Sequence, residues 1–209
     1  MTVMKLIAAA SAATLLTALP ACAEDTESAE GNAAAANAAN SESAASGQAG
    51  AMQADRAEAR ATIINRDREE VGTATFQQGP DGVVVTIEAD LGEGTGQWHG
   101  AHLHKIGDCS NPDFTSSGGH INPDGNAHGF LNGDGPDNAD LPNLWLHSDG
   151  TLRAQAYTTR VSIDGQTDAP ALLDADGSAL VIHENRDDME SQPIGGAGAR
   201  ILCGVVEAQ

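Results

Sequence analysis

From about residue 60 onward, apolar residues come in short runs. ATIIN (61–65), VGTATFQ (71–77), VVVTIEA (83–89), HGAHLHKI (99–106), TLRAQAY (151–157), SALVIHE (178–184) and RILCGVVE (200–207) each have strand length and are rich in Val, Ile, Thr or Leu. PDG, LGEG, SDG and DADG, all turn-forming, fall between them. After residue 70 no stretch of helical length carries the 3.6-residue apolar period. Short strands joined by turns predict an all-β antiparallel sandwich or barrel. One segment breaks the pattern: CSNPDFTSSGGHINPDGNAHGFLNGDGPDNADLPN (109–143) is dominated by Gly, Asn, Asp and Pro. A loop of that length in a compact domain is usually functional or disordered. Its histidines and aspartates, and the cysteine at its start, suggest a loop pinned by a disulfide and a metal.

The N-terminal third has a different character. Met1 to Lys5 is weakly basic, and LIAAASAATLLTALPA follows as an apolar run too short to span a bilayer comfortably, which predicts an export signal. LPAC (19–22) has the form of a bacterial lipobox, which would make Cys22 the acylated N-terminus; ACA (21–23) would also suit ordinary signal peptidase. Residues 23–58 are Ala, Glu, Ser, Asn, Gln and Gly with almost no large apolar side chain, so they are expected to form a disordered tether. Within it AEARA (57–61) is expected to be at most transiently helical and to pack no core. The predicted organisation is therefore a signal peptide with lipobox at 1–22, a linker at 23–58 and one folded domain at 59–209.

Charge and cysteines narrow the setting. A formal charge of −20 excludes a nucleic-acid binder with a general basic surface and makes acidic lipid a poor partner for the domain itself. Three cysteines leave one over after any disulfide. If Cys22 carries lipid, Cys109 and Cys203 remain to pair in an oxidising compartment, the alternative being two free thiols.

Three of the seven histidines stand within six residues, at 99, 102 and 104. In a strand, His102 and His104 share a face while Leu103 points the other way, which makes a two-pronged metal grip. On its own an HxH is a weak signal. The loop adds His120 and His128, with Asp137 and Asp140 beyond them, and a later strand adds His183. Imidazoles and carboxylates suit a borderline metal such as copper or zinc.

GAHLHKIGDC, GGHINP, NAHG, DLPN, LVIHENRDD and GGAGARILCGV, in this order and spacing, resemble the copper/zinc superoxide dismutase family over roughly residues 60–209. The resemblance implies an eight-stranded antiparallel Greek-key β-barrel, an immunoglobulin-like sandwich with long metal-binding and electrostatic loops. It implies copper on His102, His104, His120 and His183, and zinc on His120, His128 and Asp140, with His120 bridging the two. It further implies a Cys109–Cys203 disulfide, an anion-guiding Arg200, and Asp187 as the carboxylate that links a copper histidine to a zinc histidine. His99 matches a structural histidine that bonds backbone near the copper strand, and His147, just before a turn, is expected to be exposed.

One position departs from the family pattern. Asp137 stands where a third zinc histidine is expected. A carboxylate oxygen and a histidine Nδ1 are both two bonds from Cβ, so Asp137 could complete a His2Asp2 site; alternatively it is solvated and the zinc site is weak or empty.

By resemblance, Cu(II) would oxidise one superoxide to dioxygen and Cu(I) would reduce a second to hydrogen peroxide, with His120 taking and delivering a proton. A chain of charge −20 repels superoxide at long range, so steering requires a local cationic channel, for which Arg200, Lys105 and Arg186 are candidates. Two alternatives stand beside dismutation. One is a non-catalytic copper-buffering module, whose expected mark is a lost copper histidine or arginine, and none is lost; the other is a copper-only dismutase. The implied partner is superoxide, with no nucleic acid, with membrane contact only through lipid on Cys22, and with either a monomer or a homodimer. The implied location is the periplasm or cell envelope.

Overall fold

The computed structural model describes residues 56–209. The predicted signal peptide, Cys22 and all but the end of the predicted linker lie outside them. Nine strands follow in chain order: β1 (Glu58–Asn65), β2 (Glu70–Gln78), β3 (Val83–Asp90), β4 (Gln97–His99), β5 (Ala101–His104), β6 (Leu144–Leu146), β7 (Thr151–Thr158), β8 (Ser178–His183) and β9 (Arg200–Ala208). Among the described residues the sole helical element is a three-residue 3-10 turn, Thr115–Ser117.

Seven strands form one antiparallel sheet in the order β5-β8-β9-β1-β2-β3-β7, and β4 pairs with β6 in a second ladder. That ladder bridges the two edges. β4 continues into β5 through Gly100, and β6 turns into β7 through the His147 N–H to Thr151 carbonyl bond of 2.9 Å. With β4 and β5 counted as one strand interrupted at Gly100, the ring has the eight strands expected. The junction favours glycine: a Cβ on Gly100 would stand 3.0 Å from the Ala197 Cβ and 3.2 Å from the Asp187 Cβ.

Period-2 alternation sends Ala59, Ala61 and Ile63 of β1, Ala74 and Phe76 of β2, and Val83, Val85 and Ile87 of β3 into a common core. Fully burying a side chain such as Phe76 contributes about 1.5–3 kcal/mol. β8 is buried along its whole length. Leu180 and Ile182 face the main core, while Ala179 and Val181 face a second cluster with Cys109, Phe114 and Cys203, which the long loop lays over the sheet.

Two local expectations are corrected. AEARA is strand, not helix: β1 begins at Glu58, and Ala59 and Ala61 are fully buried between β2 and β9. Helix propensity is a weak prior that tertiary pairing overrides, and the small side chains suit the close approach of β9, where a Cβ on Gly204 would stand 3.1 Å from the Ala61 Cβ. Secondly, LWL forms β6, which the strand pattern did not reveal. Its pairing places Trp98 directly opposite Trp145, with ring centroids 5.2 Å apart and both rings exposed.

Candidate metal centre

The site is built on the free edge of β5. Its outer side is bonded to the long loop in two places: Ile121 N–H to the Leu103 carbonyl and Leu103 N–H to the Ala139 carbonyl, both 3.0 Å. Bridges His104↔His120 and His102↔Asp140 accompany them. The loop thus acts as an extra strand in two fragments, and it delivers His120 and Asp140 beside the two histidines of β5. His183 ends β8, the neighbour on the other side.

The rings of His102, His104, His120 and His183 converge, with centroids 4.3 Å apart for His102 and His120 and 4.8 Å for His102 and His183. One nitrogen on each is spoken for. Nε2 of His102 donates to Asp187 (2.8 Å), Nδ1 of His104 to the Gly118 carbonyl (2.9 Å) and Nδ1 of His183 to the Gly198 carbonyl (3.1 Å), while Nδ1 of His120 faces Asp137 at 2.7 Å. The other nitrogen of each, Nδ1 of His102 and Nε2 of His104, His120 and His183, is buried without a partner. Leaving a buried polar atom unpaired costs about 1–3 kcal/mol. Four such nitrogens among converging imidazoles form a donor set for a cation. Burial is the largest influence on three of them, lowering the pKa of His102, of His104 well below its usual value and of His183 to about 3, so their rings are kept neutral for ligation.

A second cluster lies behind His120. His120, His128, Asp137 and Asp140 each bring one donor atom to within 4.8 Å of the others. Asp137 is buried, so the solvated alternative does not describe it. Its carboxylate faces His120 Nδ1 and accepts the Ala139 N–H at 2.9 Å. His128 Nδ1 stands 2.6 Å from Asp140. Burial acts against a charged His128, yet the Asp140 and Asp187 carboxylates prevail and raise its pKa to about 10. Two imidazoles and two carboxylates match the donor types and number of a tetrahedral zinc site.

Asp187 ties the clusters together, with Oδ2 on His102 Nε2 and Oδ1 on His128 Nε2 at 3.1 Å. Burial acts to raise its pKa, but these two bonds hold it well below the usual carboxylate range. Its tight setting requires glycine at Gly195, where φ is +58° and a Cβ would fall 1.6 Å from Oδ1 of Asp187. Asn143 grips the Asp187 backbone from both sides, donating to its carbonyl and accepting its N–H, each at 2.9 Å. His99 donates from Nδ1 to the His183 carbonyl at 2.7 Å, as expected of a supporting residue, and His147 is exposed.

Arg200 opens β9 beside a cavity of about 490 Å³ lined by His104, His120, His183, Gln192 and Asp137 among others. Its guanidinium donates to the Phe114 carbonyl (2.7 Å), Ser117 Oγ (3.0 Å) and the Gly118 carbonyl (2.7 Å). The expectation of further channel cations is corrected. Lys105 does not line that channel but a neighbouring cavity, which shares His120 and Asn122 with it and in which Asp174 and Asp176 offset the lysine's charge; Arg186 is exposed and does not line the channel. Residues missed in the sequence hold Arg200 in place. Arg66 donates to the Arg200 carbonyl at 2.8 Å, and Arg68 donates to the carbonyl of Cys109, which is disulfide-bonded to Cys203. Buried Phe114 anchors the loop whose carbonyl Arg200 uses.

The family model described as "Copper/zinc superoxide dismutase (SODC)" matches residues 70–206. The chain belongs to the copper/zinc superoxide dismutase family. It is 45% identical over 150 residues to the Superoxide dismutase [Cu-Zn] of Caulobacter vibrioides, covering 71% of this chain and 85% of that one. It is 37% identical over 154 residues to Superoxide dismutase [Cu-Zn] 1 of Aquifex aeolicus, covering 74% and 90%. Among solved structures, a SOD-like protein from Bacillus subtilis superposes with a TM-score of 0.66 at 35% identity, covering 70% of this chain and 96% of that one. Copper and zinc are the metals of the family, and the imidazole and carboxylate donors of the two clusters suit them in type.

Proposed function

We propose that this chain converts superoxide to dioxygen and hydrogen peroxide, with copper on His102, His104, His120 and His183 and zinc on His120, His128, Asp137 and Asp140. The observation that carries the reading is the set of four unpartnered imidazole nitrogens next to a cavity whose wall includes Arg200. Copper, when bound, supplies the redox couple that takes an electron from one superoxide and gives one to the next. The chain's own residues supply everything else. Arg200 presents a permanent cation with directed N–H donors to the entering anion. The bonds from His104 to Gly118, His183 to Gly198 and His102 to Asp187 fix tautomers, so that the free nitrogen of each ring points inward. His120, with one nitrogen toward each cluster, is the group placed to hold and release a proton at Nε2.

The fold alone does not separate an enzyme from a copper-buffering module, since the Bacillus subtilis structure is named only SOD-like. The intact donor set and Arg200 favour the enzyme. The deciding experiment is superoxide decay catalysed by the copper-loaded, disulfide-bonded chain with and without zinc. Rapid copper-dependent decay supports the reading; tight copper binding without decay overturns it in favour of the buffering module. The same reading includes export to the periplasm or envelope with lipid on Cys22, supported by the LPAC motif and tested by the mass of the mature N-terminus. It also includes a homodimer, for which the exposed Trp98 and Trp145 offer an aromatic face and sedimentation is the test.

A further inference from the structure

The 120–143 loop and the 184–199 segment are joined by the Leu131 N–H to Met189 carbonyl bond of 2.9 Å, by Asn132 Nδ2 donating to the Glu190 carbonyl at 3.3 Å, and by two further side-chain amides that run in opposite directions. Asn143 reaches from the first onto the Asp187 backbone. Gln192 reaches from the second onto the His128 backbone, where its Oε1 accepts the His128 N–H at 3.0 Å and its Nε2 donates to the His128 carbonyl at 2.9 Å. Nε2 also donates to the Glu190 carbonyl at 3.1 Å. With both N–H groups and the oxygen engaged, the amide has no group left for an anion in the cavity it lines, and a flip would set donor against donor. Gln192, Pro193, Ile194 and Gly198 form the channel wall contributed by this segment.

We infer that Gln192 is a positioning residue that transmits the state of the His128 cluster to the rim of the anion channel. This rests on the proposed function, which puts zinc in that cluster and superoxide in that channel. His128 brings one donor atom to that cluster, so the position of its backbone and the position of the donor are tied together. His128 is held at its ring by Asp140 and Asp187 and at both backbone polar groups by Gln192, so its displacement is passed to residue 192 and the wall beside it.

The test is amide hydrogen exchange on the full copper-loaded chain with and without zinc, compared with Gln192→Met, which keeps the length but has no amide. In the unsubstituted chain zinc is expected to slow exchange in both 120–143 and 189–198. In Gln192→Met the slowing in 120–143 is retained while that in 189–198 falls about tenfold, the effect of one to two lost hydrogen bonds. Gln192→Glu keeps the acceptor for the His128 N–H but sets a carboxylate oxygen against the His128 and Glu190 carbonyls, so it is expected to lose at least as much zinc protection of 189–198 as Gln192→Met, which keeps the inference testable if the Met variant folds poorly. The azide affinity of Cu(II) gives a second readout: its dependence on zinc is expected to shrink in the variants. Equal zinc protection of 189–198 in all three chains overturns the inference alone. Failure of the unsubstituted chain to take up zinc overturns the proposed zinc site and the inference with it.

Discussion

Arg200 and His104 meet at one oxygen. The Gly118 carbonyl accepts from the Arg200 guanidinium at 2.7 Å and from His104 Nδ1 at 2.9 Å. The group placed to meet the anion and a ring placed to hold the metal are therefore set by the same backbone atom, on a loop anchored by Phe114 and the Cys109–Cys203 disulfide.

Arg200→Ala is expected to lower kcat/KM for superoxide by about 10- to 100-fold, the loss of charge-assisted hydrogen bonds of 1.5–3 kcal/mol. Copper affinity should change far less, because His104 keeps its bond to Gly118. Stopped-flow decay and a copper competition assay read the two quantities.

Salt should separate the local field from the global one. Among the described residues Arg200 is the single Lys or Arg lining the channel, and the chain has net charge −20. Screening weakens both the attraction and the repulsion, so added salt is expected to slow the unsubstituted chain only modestly. In Arg200→Ala only the repulsion remains to be screened, and the rate should rise with salt. A steep fall with salt in either chain would contradict this balance.

Removing Asp137 tests the second cluster. Asp137→Ala is expected to weaken zinc binding by at least about tenfold while leaving copper binding nearly unchanged, and Asp137→His should bind zinc at least as well as the native residue. Chelator competition, with Co(II) absorption reporting the geometry, measures both.

The chelated protein should lose stability in acid. Burial holds the folded-state pKa of His183 at about 3, and those of His102 and His104 below 6.5, while the unfolded chain takes up these protons near 6.5. Their contribution is present above pH 6.5 and is lost as pH falls from there toward 3. His128 has the opposite sign: its contribution is full below 6.5 and disappears as pH rises through about 10. Urea midpoints across pH 4–10 should show both limbs, and His183→Gln should flatten the acid one.

Gly195→Ala would drive a methyl group into the Asp187 carboxylate. A cost of about 1–3 kcal/mol is expected from overpacking alone, with the positive φ adding to it. Zinc and copper affinity should fall together, because Asp187 bonds to one histidine of each cluster.

The sequence was most informative where chemistry repeats at fixed spacing. Alternation of apolar residues located seven of the nine strand segments or their immediate surroundings, and HxH placed His102 and His104 on one face. β6 escaped because it has three residues, too few to establish a period, and its pairing depends on a partner 47 positions away across Trp98 and Trp145. Val161, Ile163 and Leu172 escaped for a related reason: they are fully buried in a segment with almost no regular strand. Backbone acceptors such as the Gly118 carbonyl have no residue signature at all. Asp137 was undecided in the sequence because its environment is made by its own turn, in which Asp137 N–H bonds to Asp140 and Ala139 N–H bonds back to Asp137.

The two loop fragments on β5 have a consequence outside catalysis. A sheet edge with unpaired N–H and C=O groups is a template on which another chain can add as a strand. Here residues 119–121 and 139–140 occupy that edge, so the segment that carries the donors also shields the protein from self-association. Conditions that detach it, such as chelation together with reduction of Cys109–Cys203, would free the Leu103 N–H and carbonyl on the outer edge of a buried strand for neighbouring molecules, making loss of solubility an early sign of metal loss.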